Sequence, residues 1–206
     1  MNLLLIRAYV VPAVLIMLAA ALCGPTAFSK GLPIQDQPAV KPGVNEDAQI
    51  LADFKKRADE YVALHKKIEA SLPKLSKEAT PEEIDRHQRA FAGAIASARA
   101  GAAPGDIFTP KMQVLVRALL ERLFAHSDRR KLRESIMDEN PGNVRVTVNG
   151  RYPGAVPLAT MPAEVLRNLP QLQEDVIEYR FVSDTLILLD PPAHIVVDFV
   201  PRAMPR

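Results

Sequence analysis

Of the 206 residues only one is a cysteine, Cys23, and it lies inside an apolar N-terminal run. If that run is removed, no thiol is left. Disulfides, thiol catalysis and thiolate metal sites are then all excluded from the working chain. The sequence also lacks any excess of charge. It has 26 Lys+Arg against 24 Asp+Glu, and removing residues 1–29 takes away only Arg7. So even a balance gives no electrostatic reason to expect a nucleic-acid partner. Three further things are missing: a Gly-x-Ser-x-Gly elbow, a phosphate-binding glycine loop, and a dense set of metal ligands. No motif of high specificity names a reaction.

What is present begins with an export signal. Arg7 precedes an unbroken apolar stretch from Ala8 to Cys23. That is the length of a signal-peptide core and short of the ~20 residues a membrane span needs. Ala27 and Ser29 fit the small-residue rule for cleavage after Ser29. Two other readings stand beside this one. Leu3–Leu22 could remain as an uncleaved anchor, which would hold the chain at a membrane. Cys23 could be acylated, although Leu22 before it is not the small residue such a site wants. Residues 30–44 carry Pro33, Pro38 and Pro42 and read as a flexible linker.

The rest, 45–206, reads as a single α+β domain, helical over 45–140 and β-rich over 143–200. Asn45 caps a first helix. Its Leu51, Phe54, Ala58, Tyr61, His65, Ile68 and Leu72 form a heptad seam, and Pro73 stops it near Ser71. Thr80-Pro81-Glu82-Glu83 is a capping box with proline in the first turn. The second helix runs on to Gly101 and folds back on the first as a hairpin. Thr109-Pro110 starts a third helix, apolar around much of its circumference and expected to be buried over one face of the sheet. Ser127–Asp138 predicts a short fourth helix, and Pro141-Gly142 ends the helical part. From Asn143 the period becomes two. Val144, Val146 and Val148 predict a strand with one buried face, followed by an Asn149-Gly150 turn, with Pro153 cutting its partner short. One or two helical turns follow over Pro162–Asn168. Then Glu178–Val182, Thr185–Asp190 and His194–Val200 predict an antiparallel meander, giving a small sheet of three or four strands.

The segments Gly105-Asp106-Ile107-Phe108-Thr109-Pro110, Glu178-Tyr179-Arg180-Phe181-Val182 and Ile195-Val196-Val197-Asp198-Phe199 resemble those of a family of uncharacterised bacterial secreted proteins. The similarity covers about Phe54 to Pro201. It implies export from a bacterial cell and one co-folding unit. The family has no assigned activity, so it transfers no functional residue.

Four constellations are candidate sites. His65 and Glu69 on the first helix, with Glu83 and His87 on the second, meet at similar heights if the hairpin is antiparallel, and would suit a divalent metal such as zinc. Their plainer role is interfacial packing with each imidazole bonded to a carboxylate. His194 and Asp198, spaced to share a strand face, could form a general-base pair; Asp190 before Pro191-Pro192 reads as a turn residue. Arg129-Arg130-Lys131 with Arg133 could meet phosphate-rich surfaces, but interspersed acids make it a solvated face. The heptad seam over 45–72 could pair with a second copy or with another envelope protein. Together these point to an exported, non-enzymatic binding module. A metal-dependent or histidine-assisted hydrolase is the rival.

Overall fold

A computed structural model describes residues 45–125, 129–137, 144–152, 161–173 and 175–205. All belong to the unit Pro42–Arg206. The expected export signal and linker, with Pro141-Gly142 and Pro153, lie outside the described residues. Among the described residues five helices come first: α1 (Glu46–Glu69), α2 (Pro81–Ala98), α3 (Pro110–Phe124), α4 (Arg129–Met137) and α5 (Ala163–Asn168). An antiparallel meander follows, β1 (Glu178–Val182), β2 (Thr185–Asp190) and β3 (Ile195–Val200), in the order β1-β2-β3. The fold is α+β, helices before sheet.

Local chemistry sets the helix starts. The Asn45 side chain accepts from Asp47 N at 3.1 Å, with Glu46 and Asp47 in the positive first turn. At Thr80 the capping box closes both ways: Glu83 N donates to Thr80 Oγ1 at 3.3 Å and Thr80 N to Glu83 Oε2 at 2.8 Å. Thr109 caps α3, with Pro110 in the first turn. α2 ends at Ala98, earlier than Gly101, because Arg99 leaves the helix and turns its guanidinium toward β3.

The buried faces are narrower than the sequence pattern suggests. On α1 the buried positions are Phe54, Ala58, Tyr61, Val62 and His65, while Leu51 is 39% exposed. Spacings of four, three, one and three follow the 3.6-residue period of a helix on a layer rather than a two-stranded seam. α3 buries one stripe, Met112, Val116, Leu120 and Phe124, and leaves Val114 66% exposed. It is therefore a surface helix with one inward stripe, not one buried all round. These stripes pack in one core with Phe91, Ile95, Ile107 and Phe108, and with Leu186, Leu188, Ile195, Val197 and Val200 of the sheet.

The sheet is buried on its other face too. Val182, Ile187, Leu189 and Val196 form a second cluster with Tyr152, and Val144 and Val146 pack on it. Burial on both faces explains why Leu186–Leu189 reads as an apolar run without alternation. Residues 144–147 keep alternate burial but make no strand ladder, contrary to expectation. Gly150 N instead donates to Thr147 O, with Asn149 in the left-handed region at φ 59°. The chain beyond that turn lines the open side of β3: Asn149 N donates to Val196 O, Val196 N to Gly150 O, and Tyr152 N to His194 O. Pairing is thus moved from the valines to residues 149–152, where Arg151 and Ile195 form an isolated antiparallel bridge.

β3 is bulged. Leu188 pairs with Asp198 but Leu189 pairs with Val196, so Val197 is the extra residue. Val197 packs in the helix-side core, and the Asp198 carboxylate reaches the α2–α3 loop on that same side.

Candidate functional site

The most polar place in the interior lies where α1 crosses the end of β2. Tyr61 and His65 are one helical turn apart and both inward. Asp190 ends β2 and is fully buried. The Tyr61 hydroxyl donates to Asp190 Oδ2 at 2.6 Å, and His65 Nδ1 lies 2.6 Å from the same oxygen. Oδ1 accepts from Ala193 N at 2.8 Å, which closes the Pro191–His194 turn. Burial, then the Asp190 charge, pushes the Tyr61 hydroxyl far above the usual tyrosine range. It stays protonated and remains a donor. The His65 ring also rests on Phe91, centroids 4.8 Å apart. His65 Nε2 is 3.8 Å from Glu69 Oε2 on a largely exposed side chain.

The arrangement resembles half of a catalytic triad, an acid holding an imidazole. The other half is missing at its position. His65 is 1% exposed, and its neighbours on α1 and α2 are a phenol, a phenyl ring and a carboxylate. No hydroxyl or thiol nucleophile meets Nε2 among the contacts described, and substrate has no access.

The four expected metal ligands do not converge, although Glu69 stays beside His65. His65 binds Asp190. His87 Nε2 lies 3.1 Å from Pro73 O, close to the surface. Glu83 is spent on the Thr80 cap. Among the described residues no group of three or more His, Cys, Asp or Glu could hold a metal ion. Of the two plain readings, an imidazole bonded to a carboxylate holds for His65, whereas His87 takes a carbonyl.

His194 and Asp198 are also separated, and the bulge is the reason. His194 sits in the turn before β3 at φ 58°, its ring edge-on to Tyr152 at 5.7 Å, on the second-cluster side. Asp198 faces the helices. Its Oδ1 accepts from Gly105 N at 3.0 Å and from its neighbour Phe199 N at 2.8 Å. Its Oδ2 accepts from Ile107 N and Phe108 N, both at 2.8 Å. Gly105 adopts φ 96°, which only glycine takes without strain, and this aims the loop's N–H groups at the carboxylate. The pair therefore cannot act as a general base and its orienting acid.

Arg99 forms a third internal hub. Its guanidinium lies 5.1 Å over the Tyr61 ring and donates to Asn149 Oδ1 at 2.7 Å and Val197 O at 3.1 Å. Burial lowers its pKa. The pairing of Tyr61 with His65 and Asp190 was not foreseen from the sequence. Its one sequence signal is an acid directly closing an apolar run, Leu186–Leu189.

Of the basic run, the side chains of Lys131 and Arg133 are described. Arg133 reaches Pro205 O at 3.4 Å, and the side chains of Arg129 and Arg130 lie outside the described residues.

One accessible feature is a cleft of about 510 Å³ between α5, the chain after it and β1. Met161, Leu166, Pro170 and Leu172 supply apolar wall, with Tyr179 behind, its hydroxyl tied to Pro170 O at 2.9 Å. Arg167, Glu178 and Arg180 supply charge. Compared with protein-family models, curated proteins and solved structures, the chain gives no match in any of the three.

Proposed function

We propose that this is an exported bacterial protein that works by binding rather than by catalysis. The observation that carries the reading is the fate of the interior ionisable groups. His65, Asp190 and Asp198 are at most 1% exposed, and every acid among them is filled by donors of its own chain. A general base must reach a substrate proton, and these cannot. The cleft beside β1, by contrast, is open and within the ordinary size of a small-molecule site.

Export is supported by the N-terminal sequence pattern: Arg7, the apolar stretch Ala8–Cys23, and small residues at Ala27 and Ser29. Among the described residues, no helix is long and apolar enough to cross a membrane. Two measurements test the reading. Mass spectrometry of the protein recovered from a bacterial host should give an N-terminus at Lys30; an intact Met1 would point to a retained anchor. The purified chain, with and without zinc, should not hydrolyse p-nitrophenyl esters above buffer. Turnover that disappears in His65→Ala or His194→Ala would establish the rival hydrolase.

A further inference from the structure

We propose that the cleft between α5 and β1 is a binding site for a monocarboxylate with an apolar chain, the carboxylate held by Arg180. The inference rests on the binding reading above and names the ligand class. Three observations converge.

The first is an incomplete arginine. Arg180 lies on β1 opposite Ile187 of β2, and its guanidinium is largely buried, with the side chain 19% exposed. Nη2 is 2.8 Å from Glu178 Oε1. Among the described residues, its buried Nε has no hydrogen-bond partner. A buried N–H left unmade is costly, and such groups in native proteins ordinarily have a partner. Nε itself is enclosed, and a carboxylate in the cleft would meet the Nη end of the same guanidinium fork.

The second is the sign of the charge. Among the described lining residues, Arg167 and Arg180 face one acid, Glu178, so their formal charge is one positive. A single anionic group neutralises it; a dianion would overshoot, and a cation would be repelled.

The third is the wall. Met161, Leu166 and Leu172 leave apolar surface along the cleft, and Leu166 is 38% exposed despite its type. A ligand with only a head group would leave that surface wet. One with a chain would cover it.

The test is calorimetry on the full chain with sodium octanoate, octan-1-ol and sodium acetate as probes. Octanoate should bind with a negative heat-capacity change. Octanol and acetate should each bind at least roughly tenfold more weakly, one lacking the charge and the other the chain. Arg180→Gln should weaken octanoate roughly tenfold or more. Leu166→Asp, at an already exposed position, should do the same and stands in if Arg180→Gln fails to fold by circular dichroism. Octanol binding as tightly as octanoate would overturn the carboxylate assignment while leaving a binding protein. Absence of octanoate binding at millimolar concentration, or binding indifferent to both substitutions, would overturn the site. Ester turnover, by contrast, would sink the binding reading itself.

Discussion

Replacing Asp198 by asparagine should destabilise the protein by far more than its single-atom change suggests. The carboxylate takes four N–H donors, two on each oxygen. Asparagine keeps one oxygen and can serve one pair. At the other position it presents an NH2 to two N–H groups, donors against donors. Each stranded buried donor costs about 1–3 kcal/mol. The stranded pair is the less buried one, Gly105 N and Phe199 N, both only partly buried, so the lower half of that range applies to each and the sum is about 2–4 kcal/mol. For a chain of this size, that lowers the melting temperature by roughly 4–16 °C. Urea unfolding of the full chain, followed by far-ultraviolet circular dichroism, measures it. The control is Lys55→Ala, which breaks an ion pair of similar length, 2.7 Å, between side chains 68% and 44% exposed. That loss should stay below about 0.5 kcal/mol. If Asp198→Asn costs no more than Lys55→Ala, the loop is not held by this carboxylate and the account of the bulge fails with it.

Three other outcomes follow from the same structure. Tyr61→Phe removes one donor to Asp190 and leaves His65 in place, so it should cost about 1–2 kcal/mol by urea unfolding; a neutral result would mean the hydroxyl is bonded elsewhere. Gly150→Ala should destabilise, because an added Cβ would lie 2.9 Å from Thr147 O and closer still to its Oγ1; a melting temperature at or above the parent's would contradict this. His194 is held below its ordinary pKa, mainly by burial and then by the Arg151 charge, with exposed Asp85 opposing. A depressed folded pKa means the unfolded chain takes up the proton first. The contribution is whole above about pH 6.5 and is lost as pH falls through the lower folded value. An NMR titration should place His194 below 6.5, and His194→Asn, which tolerates the left-handed backbone, should flatten the acid side of the stability profile. A titration at or above 6.5 would refute it.

Local signals were legible in the sequence and distant ones were not. Thr80-Pro81 and Thr109-Pro110 mark helix starts because a cap involves only residues three apart. Glu178–Val182 and Thr185–Asp190 can be read as strands because an apolar run and a two-residue turn are likewise local. The partner of His65 lies 125 residues away, and nothing in the spacing of α1 points to it. The hairpin geometry suggested His87 instead, but that side chain turns to Pro73 O. Period-two counting places His194 and Asp198 on one face. It fails because Val197 is an extra residue, and the bulge is set by where Asp198 must reach. Val144–Val148 keeps its alternate burial, but alternation says which face is inward, not which neighbour supplies the ladder.

The three internal hubs share a design that bears on the cleft. Asp190 fastens α1 to the end of β2, Asp198 fastens the α2–α3 loop to β3, and Arg99 fastens the end of α2 to Val197 O and Asn149. All three bridge the helical layer and the sheet or its added edge, through an interface otherwise made of Leu, Val, Ile and Phe. Apolar packing alone permits small slides and re-packings at little cost. Buried groups with fixed bond directions do not, since a slide would strand donors in a medium without water. These hubs therefore serve position more than net stability, and their ionisable groups are unavailable for chemistry because they are already engaged. Among the described residues, Arg180 Nε is the buried side-chain donor left unmade, and the Arg180 side chain lines the cleft. An incomplete fork on a sheet anchored elsewhere is what a preorganised anion site requires: the cost of fixing the guanidinium is met in folding, before any ligand arrives.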